Sequence, residues 1–217
     1  MKKKQNCGGE VLIKKKYWCN ADEIQGTDLD VIEHRVMNLA FSRVCERHNQ
    51  THTTALLALC TARRPYSTTP TWKSFIETCS GKADLIVASN GGLIPLEFES
   101  EYPYMTYDAK GEKENDARYI EAMIERMVTF FSSREYKKIL LVFRPNKRNI
   151  KAGRIACDRM GIEYKVLPSP KVWYEMNIKT PSKNFSRTIP SYVADGYLWN
   201  PLTHPLIQKE ITEECLK

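Results

Sequence analysis

No apolar stretch in this chain approaches the about 18 residues that a membrane-crossing helix needs. Nor does it contain a glycine-rich phosphate loop ending in Gly-Lys-Ser/Thr, a Gly-x-Gly-x-x-Gly turn or a His-Glu-x-x-His pair. Phosphate-loop nucleotide hydrolysis, dinucleotide redox chemistry and zinc proteolysis therefore have no sequence support. Cys-x-x-Cys is also missing. The seven cysteines (7, 19, 45, 60, 79, 157 and 215) are odd in number and widely scattered. That is the pattern of free thiols in a reducing compartment, not of a zinc site or a disulfide framework. No metal and no cofactor is expected. The basic start Met1-Lys-Lys-Lys-Gln-Asn leads into no apolar segment, so it does not read as a secretory signal. The expectation is a cytoplasmic chain with no membrane partner. No internal repeat or low-complexity segment is visible.

What is present fits one sizeable domain with appendages in 217 residues. Residues 1–27 form a small N-terminal element, with Val11-Leu-Ile13 and Tyr17-Trp18-Cys19 as an edge hairpin or strand pair. Residues 28–171 form an α/β core, and 172–217 an aromatic-rich extension. Thr27 is a candidate N-cap followed by acids in the first turn. Leu29, Ile32, Val36, Leu39, Ala40 and Val44 then recur at helical spacing, which predicts one long helix with that face in the core. His34 and His48 fall off the stripe and are expected to be solvated. Strands are predicted at Ala55–Leu59, Ala83–Ala88, Lys138–Phe143 and Glu163–Leu167. Helices alternate with them at about 71–79, 113–133 and 149–160, and Thr203-His204-Pro205 opens a last helix. This alternation predicts a three-layer sandwich around a mainly parallel sheet of about four strands.

Right-handed crossovers put all four strand ends on one edge, where open α/β sheets bind ligands. That edge collects Cys60 with Arg63 and Arg64, Ser89 with Gly91 and Gly92, Arg144 with Asn146 and Lys147, and Ser169. A thiol beside two arginines at a strand end is expected to have a lowered pKa and to be nucleophilic. The arginines suit a carboxylate or phosphate, and Tyr66 suits stacking or hydrogen bonding. The Ser89-Asn-Gly-Gly turn suits close backbone approach to a base or phosphate. Between Arg134 and Lys171, eleven basic residues face three acids, within a net charge of +7. Arg144, Lys147, Arg148, Lys151 and Arg154 are therefore expected to contact nucleic-acid phosphates.

The stretch Cys60-Thr-Ala-Arg63-Arg64-Pro65-Tyr66-Ser67-Thr-Thr69-Pro-Thr-Trp72 resembles the signature of archaeosine synthase. That signature reads Pro-Cys, three residues, Lys-Pro-Tyr, two residues, Ser, two residues, His. Cys60, Pro65 and Tyr66 match in register, whereas Leu59, Arg64, Thr69 and Trp72 replace the first proline, the lysine, the serine and the histidine. A second block, Ser89-Asn-Gly-Gly92-Leu-Ile-Pro95-Leu-Glu97, followed by Tyr102-Pro103 and Tyr107-Asp108, is similar to the next part of the same domain. Together the two blocks span roughly 55–143.

The resemblance implies an enzyme adding an amino donor to the nitrile of 7-cyano-7-deazaguanine in tRNA, or in DNA. Cys60 would be the nucleophile and Asp108 an acid/base or base-recognition group. Arg63, Arg64, Tyr66, Ser67, Ser89, Gly91, Gly92 and Tyr107 would hold the substrate. Full-length members of that family also carry transglycosylase-like and RNA-binding domains, for which a chain of this length has no room, so the resemblance implies either a protein partner supplying them or substrate capture through the 172–217 extension. Two other readings stand beside this one: an accessory nucleic-acid-binding subunit that has kept the fold without the chemistry, and a glycosylase or base-exchange enzyme acting on a flipped modified base.

Overall fold

A computed structural model describes residues 24–61, 63–110, 116–143, 148–179 and 201–217. The expected hairpin around Val11 and Trp18 lies outside the described residues, as do Arg144, Asn146 and Lys147. In chain order the regular elements are β1 (Gln25–Thr27), α1 (Asp28–Glu33), α2 (Arg35–Arg47), β2 (Thr54–Leu59), α3 (Pro70–Cys79), β3 (Asp84–Ser89) and β4 (Gly92–Pro95). They continue with β5 (Asp108–Lys110), α4 (Asp116–Ser132), β6 (Lys138–Val142), α5 (Arg148–Met160), β7 (Glu163–Leu167), α6 (Pro170–Lys179) and α7 (Pro205–Cys215).

The central sheet has five strands in the order β4-β3-β2-β6-β7, parallel except for the antiparallel β3–β4 pair. Its middle strands are buried on both faces: Ala55–Ala58 and Ile139–Val142 have no measurable exposure. That is why they read as unbroken apolar runs and not as alternations. The expected four strands are all present. The fifth, β4, comes from a feature read differently in the sequence: Asn90-Gly91 is the two-residue loop of a tight hairpin in which Ser89 pairs with Gly92. Asn-Gly is a favoured pair in such loops, but here the positive φ falls one residue later, on Gly92 and not on Gly91. Gly92 itself sits at φ +108, and a Cβ there would lie 2.7 Å from Arg126 Cδ, so the position requires glycine.

The predicted long helix is two helices. Thr27 caps α1 with a full capping box: Asp30 N–H donates to Thr27 Oγ1 at 3.1 Å, and Thr27 N–H donates to Asp30 Oδ2 at 2.8 Å. The chain then turns at His34, whose backbone is extended (φ −60°, ψ 134°) and whose Nδ1 accepts from Val36 N–H at 3.2 Å. His34 is thus a cap and not a solvated side chain. The break also rotates α2, leaving Leu39 54% exposed instead of in the core. The segment before α1 forms a second, two-stranded parallel sheet, β1 with β5, in which Gln25 pairs with Asp108.

Helices α4 and α5 pack side by side on one face of the sheet, with Gly153 of α5 set against Leu141 of β6. The crossover through α3 runs in the opposite direction along the sheet and covers the other face, where α7 packs on α3. His204 caps α7 and Pro205 occupies its first turn, as the sequence suggests. Among the described residues no helix is long and apolar enough to cross a membrane.

Candidate active site at the carboxyl edge of the sheet

The connection after β2 leads to β3 on one side, and the connection after β6 leads to β7 on the other. The carboxyl ends of β2 and β6 therefore flank the switch point of the sheet, the position at which such folds open a crevice. Cys60 follows the last residue of β2, and its N–H donates to Ala88 O at 3.1 Å, continuing the ladder by one bond. As a residue Cys60 is half-buried. The backbone amide of Asn90, in the hairpin turn, and that of Cys60 itself favour the thiolate.

Arg64 supplies the nearest favourable charge, but its guanidinium is shared. It donates to Tyr107 O at 2.7 Å and to Tyr66 Oη at 3.3 Å, and it lies 3.9 Å from the centre of the Tyr107 ring. The Tyr66 and Tyr107 hydroxyls are 3.1 Å apart, and the Tyr107 phenol also reaches the Ser89 side chain. Burial raises the pKa of both phenols, so they act as neutral hydrogen-bonding groups. Among the described residues Arg64 makes no ion pair, which leaves one uncompensated positive charge beside the sulfur.

The expected depression of the Cys60 pKa is not found. Desolvation pushes the thiol up and outweighs the attraction of Arg64 and the two amides, and the Asp28 carboxylate adds a further upward push. The two-arginine argument counted charges adjacent in the chain, whereas the enclosure of the sulfur comes from β3, its hairpin and the tyrosines.

The other expected site residues divide into two groups. Tyr66, Tyr107 and Ser89 are buried within the cluster just described, with Arg64 half-buried beside them. The Ser89 hydroxyl donates to Gly92 O at 3.2 Å and accepts from Gly91 N–H at 3.1 Å, so of the hairpin amides it is Asn90's that faces Cys60. Arg63 is exposed. Ser67 turns away: its N–H donates to Glu99 Oε2 at 2.9 Å and its hydroxyl donates to Glu99 Oε1. Asp108 is exposed at the start of β5, although Tyr107 beside it is buried. Lys151 and Arg154 are exposed on α5, whereas Arg148 at its start is turned inward.

Two departures from the archaeosine synthase signature have structural roles here. Thr69 caps α3, accepting from Trp72 N–H at 3.4 Å and donating to Tyr66 O at 2.7 Å. Trp72 is fully buried, donates Nε1–H to Leu59 O at 3.2 Å and meets Phe75 edge-on at 5.5 Å. Through these contacts the turn carrying Arg64 and Tyr66 is anchored to the end of β2.

The structure also adds residues that sequence reasoning passed over. Asp28, read only as a first-turn acid, is 1% exposed; one oxygen pairs with Arg148 and the other, Oδ1, is buried without a hydrogen-bond partner among the described residues. Arg148 also pairs with Asp116 at 2.8 Å and lies 4.0 Å from the centre of the Tyr119 ring. The Tyr119 hydroxyl in turn donates to Ser89 O at 3.4 Å. A carboxylate from α1, an arginine from α5 and a phenol from α4 thus form one network that ends on Ser89 of the hairpin. Helical periodicity carries no sign of such contacts, because each joins elements far apart in the chain.

A second polar cluster occupies the amino edge. His48, expected to be solvated, has a side chain only 3% exposed; its Nδ1 is 2.5 Å from Glu97 Oε1 and its Nε2 is 2.9 Å from Tyr136 Oη. Tyr136 donates to Asp84 Oδ2 at 2.8 Å, and Asp84 Oδ1 lies 2.8 Å from His52 Nδ1. Two open cavities of about 540 and 460 Å³ share His48, Asn49, Thr51 and His52 in their walls. Among the described residues no group of three or more His, Cys, Asp or Glu side chains is placed to hold a metal ion.

Residues 39–170, well over half of the chain, match the family model described as "Domain of unknown function (DUF5591)". No curated protein matches the chain. One similar solved structure is the crystal structure of AF0587, a protein of unknown function: 19% identical, TM-score 0.47, covering 66% of this chain. The chain spans half the length of that protein.

Proposed function

We propose that in this chain, which belongs to the DUF5591 family, the carboxyl-edge cluster is the active site of a base-modifying enzyme of archaeosine synthase type. The substrate is a 7-deazaguanine base bearing a nitrile, carried in tRNA or DNA, and the second reactant is an amine. One observation carries this reading. Cys60 stands at the switch point of the sheet beside Arg64, which has no acidic partner among the described residues, and beside the neutral phenols of Tyr66 and Tyr107.

In the first step the Cys60 sulfur adds to the nitrile carbon and the thiol proton ends on the nitrile nitrogen, giving a thioimidate. The amine then attacks that carbon, the C–S bond breaks, and the sulfur regains a proton as the amidine leaves. The raised thiol pKa leaves little thiolate at rest, so the attack needs Arg64 to stabilise the negative charge as it forms on the sulfur, and the thiol proton is the one the nitrile nitrogen takes. Asp28 Oδ1 offers a buried acceptor for donor groups on the base, and Asp108 an exposed carboxylate next to Tyr107. Lys151 and Arg154 lie on the exposed face of α5, available to phosphates.

The test is incubation with an oligonucleotide carrying the nitrile base and a panel of amines, read by mass. The expected product is heavier by one whole amine, with nothing lost, and Cys60→Ser abolishes it while the variant remains folded. An active serine variant refutes the covalent route. The second reading, an accessory nucleic-acid-binding module, is favoured by the raised thiol pKa, since a protonated thiol is a weak nucleophile. Salt-dependent binding of the oligonucleotide without any mass change selects it.

A further inference from the structure

Among the cysteines, Cys79 and Cys215 are set apart by geometry. Cys79 is the last residue of α3 and Cys215 the last of α7, so two helix ends separated by 136 residues of chain bring their sulfurs to 3.8 Å. Two thiols in van der Waals contact need only side-chain rotation and a small approach of the helices to reach a bond of about 2.05 Å. Cys79 is 1% exposed, and Cys215 is partly open to solvent. Cys45, Cys60 and Cys157 make no thiol–thiol contact among the described residues.

The surroundings give the two sulfurs different roles. Lys82, just beyond α3, and Lys138, the first residue of β6, both act on Cys215; Glu214 opposes them, but it is engaged by Lys138 at 3.4 Å and by Lys217 at 2.7 Å. The contact with Cys79 and these lysines hold the Cys215 thiol below its ordinary range, while the same contact and burial push Cys79 up. The accessible sulfur is therefore the one that ionises first, and the buried sulfur is the protonated neighbour behind it.

We propose that Cys79 and Cys215 form a peroxide-responsive dithiol that closes to an intramolecular disulfide and fastens the C-terminal helix to α3. In the first step the Cys215 thiolate attacks one oxygen of hydrogen peroxide; the O–O bond breaks and, with one proton, water leaves, giving a sulfenic acid. In the second, the Cys79 sulfur displaces the hydroxyl, its proton leaves with that oxygen as a second water, and the S–S bond forms. Two thiols lose two electrons and two protons in all, and one peroxide gains them. In the reduced protein α7 is already docked, through Lys138 to Glu214 O at 2.8 Å and through the Thr78–Gln208 hydrogen bond. The bond locks an existing arrangement and does not create a new one.

The experiment treats the whole reduced chain with one equivalent of hydrogen peroxide, quenches it, and reads intact mass, a non-reducing peptide map and thermal melting. The expected result is loss of two hydrogens, a cross-linked peptide pair containing Cys79 and Cys215, and a melting temperature several degrees higher, all reversed by dithiothreitol. Cys215→Ser removes the cross-link and the gain in melting temperature. The proposal is overturned if Cys215 gains oxygens without closing, if the cross-link joins other cysteines or two chains, or if melting is unmoved. Because the map is made on the unmutated protein, it decides the matter even if a variant folds poorly.

Discussion

Replacing Asp84 with asparagine tests whether the amino-edge network is a set of real donor–acceptor pairs. The carboxylate is 7% exposed and sits at the first residue of β3. One oxygen accepts from Thr51 Oγ1 and lies 2.8 Å from His52 Nδ1; the other accepts from Thr51 N–H at 3.1 Å and from Tyr136 Oη at 2.8 Å. Asparagine has the same shape, but whichever oxygen becomes NH2 then faces donors. Hydrogen bonds to a charged group are worth roughly 1.5–3 kcal/mol each, and rotation of the Tyr136 hydroxyl relieves part of the clash. The expected net loss is about 2–4 kcal/mol, which for a chain of this size lowers the melting temperature by about 5–15 °C.

The pH dependence adds a second constraint on the same substitution. Burial raises the Asp84 pKa, but its hydrogen bonds lower it more, and the result lies below the ordinary 3.8. A carboxyl whose folded pKa is depressed contributes stability that is complete above the unfolded pKa. That stability is lost as pH falls through the folded value. The gap between wild type and Asp84→Asn should be constant from neutral pH down to about 5 and shrink below about 4. Thermal melts or urea titrations at pH 7, 5 and 3 measure it. A variant that melts with the wild type at pH 7, or a gap undiminished at pH 3, refutes the reasoning.

Alkylation of Cys60 by iodoacetamide should show a pH midpoint above the about 8.5 of a free cysteine, because burial dominates its surroundings. Arg64→Met should move that midpoint further up and slow the reaction at pH 8; a midpoint below 8 would show that the charges win after all. Gly92→Ala combines a left-handed backbone with a Cβ 2.7 Å from Arg126 Cδ, and should cost at least about 2 kcal/mol in urea unfolding. Trp72→Ala empties a fully buried site and removes the Nε1 bond to Leu59 O. It should cost about 3–5 kcal/mol and also lower Cys60 reactivity, since the turn bearing Arg64 loses its anchor.

How much of this was legible in the sequence follows from the range of the interactions involved. The runs Ala55–Leu59 and Lys138–Phe143, the Thr27 cap and the glycine after α5 are local signals, and each lies where it was read. The break at His34 was hidden because the apolar stripe continues across it and a side-chain cap, not a proline or glycine, makes the turn. The hairpin was hidden because Leu93-Ile94-Pro95 is short and ends in a residue that usually marks a strand's absence, although Asn90-Gly91 was the clue. At the site, Cys60, Arg64, Tyr66 and Tyr107 were legible as chemistry near a strand end. Asp28, Tyr119 and the inward turn of Arg148 were not, since they meet only when α1, α4 and α5 converge. The thiol pKa went astray for the same reason, as desolvation is a property of three-dimensional enclosure.

The fold-back of β4 also bears on how copies of this chain meet one another. Pro95 ends β4 without an N–H to offer, and all four residues of that strand are already covered. At the opposite border, β7 turns Glu163 and Lys165 to solvent between its inward residues. A neighbouring polypeptide seeking to extend the ladder finds a missing donor on one flank and two exposed charged side chains on the other. Growth of the sheet from molecule to molecule is thereby discouraged, even though its interior strands are among the most aggregation-prone segments of the chain.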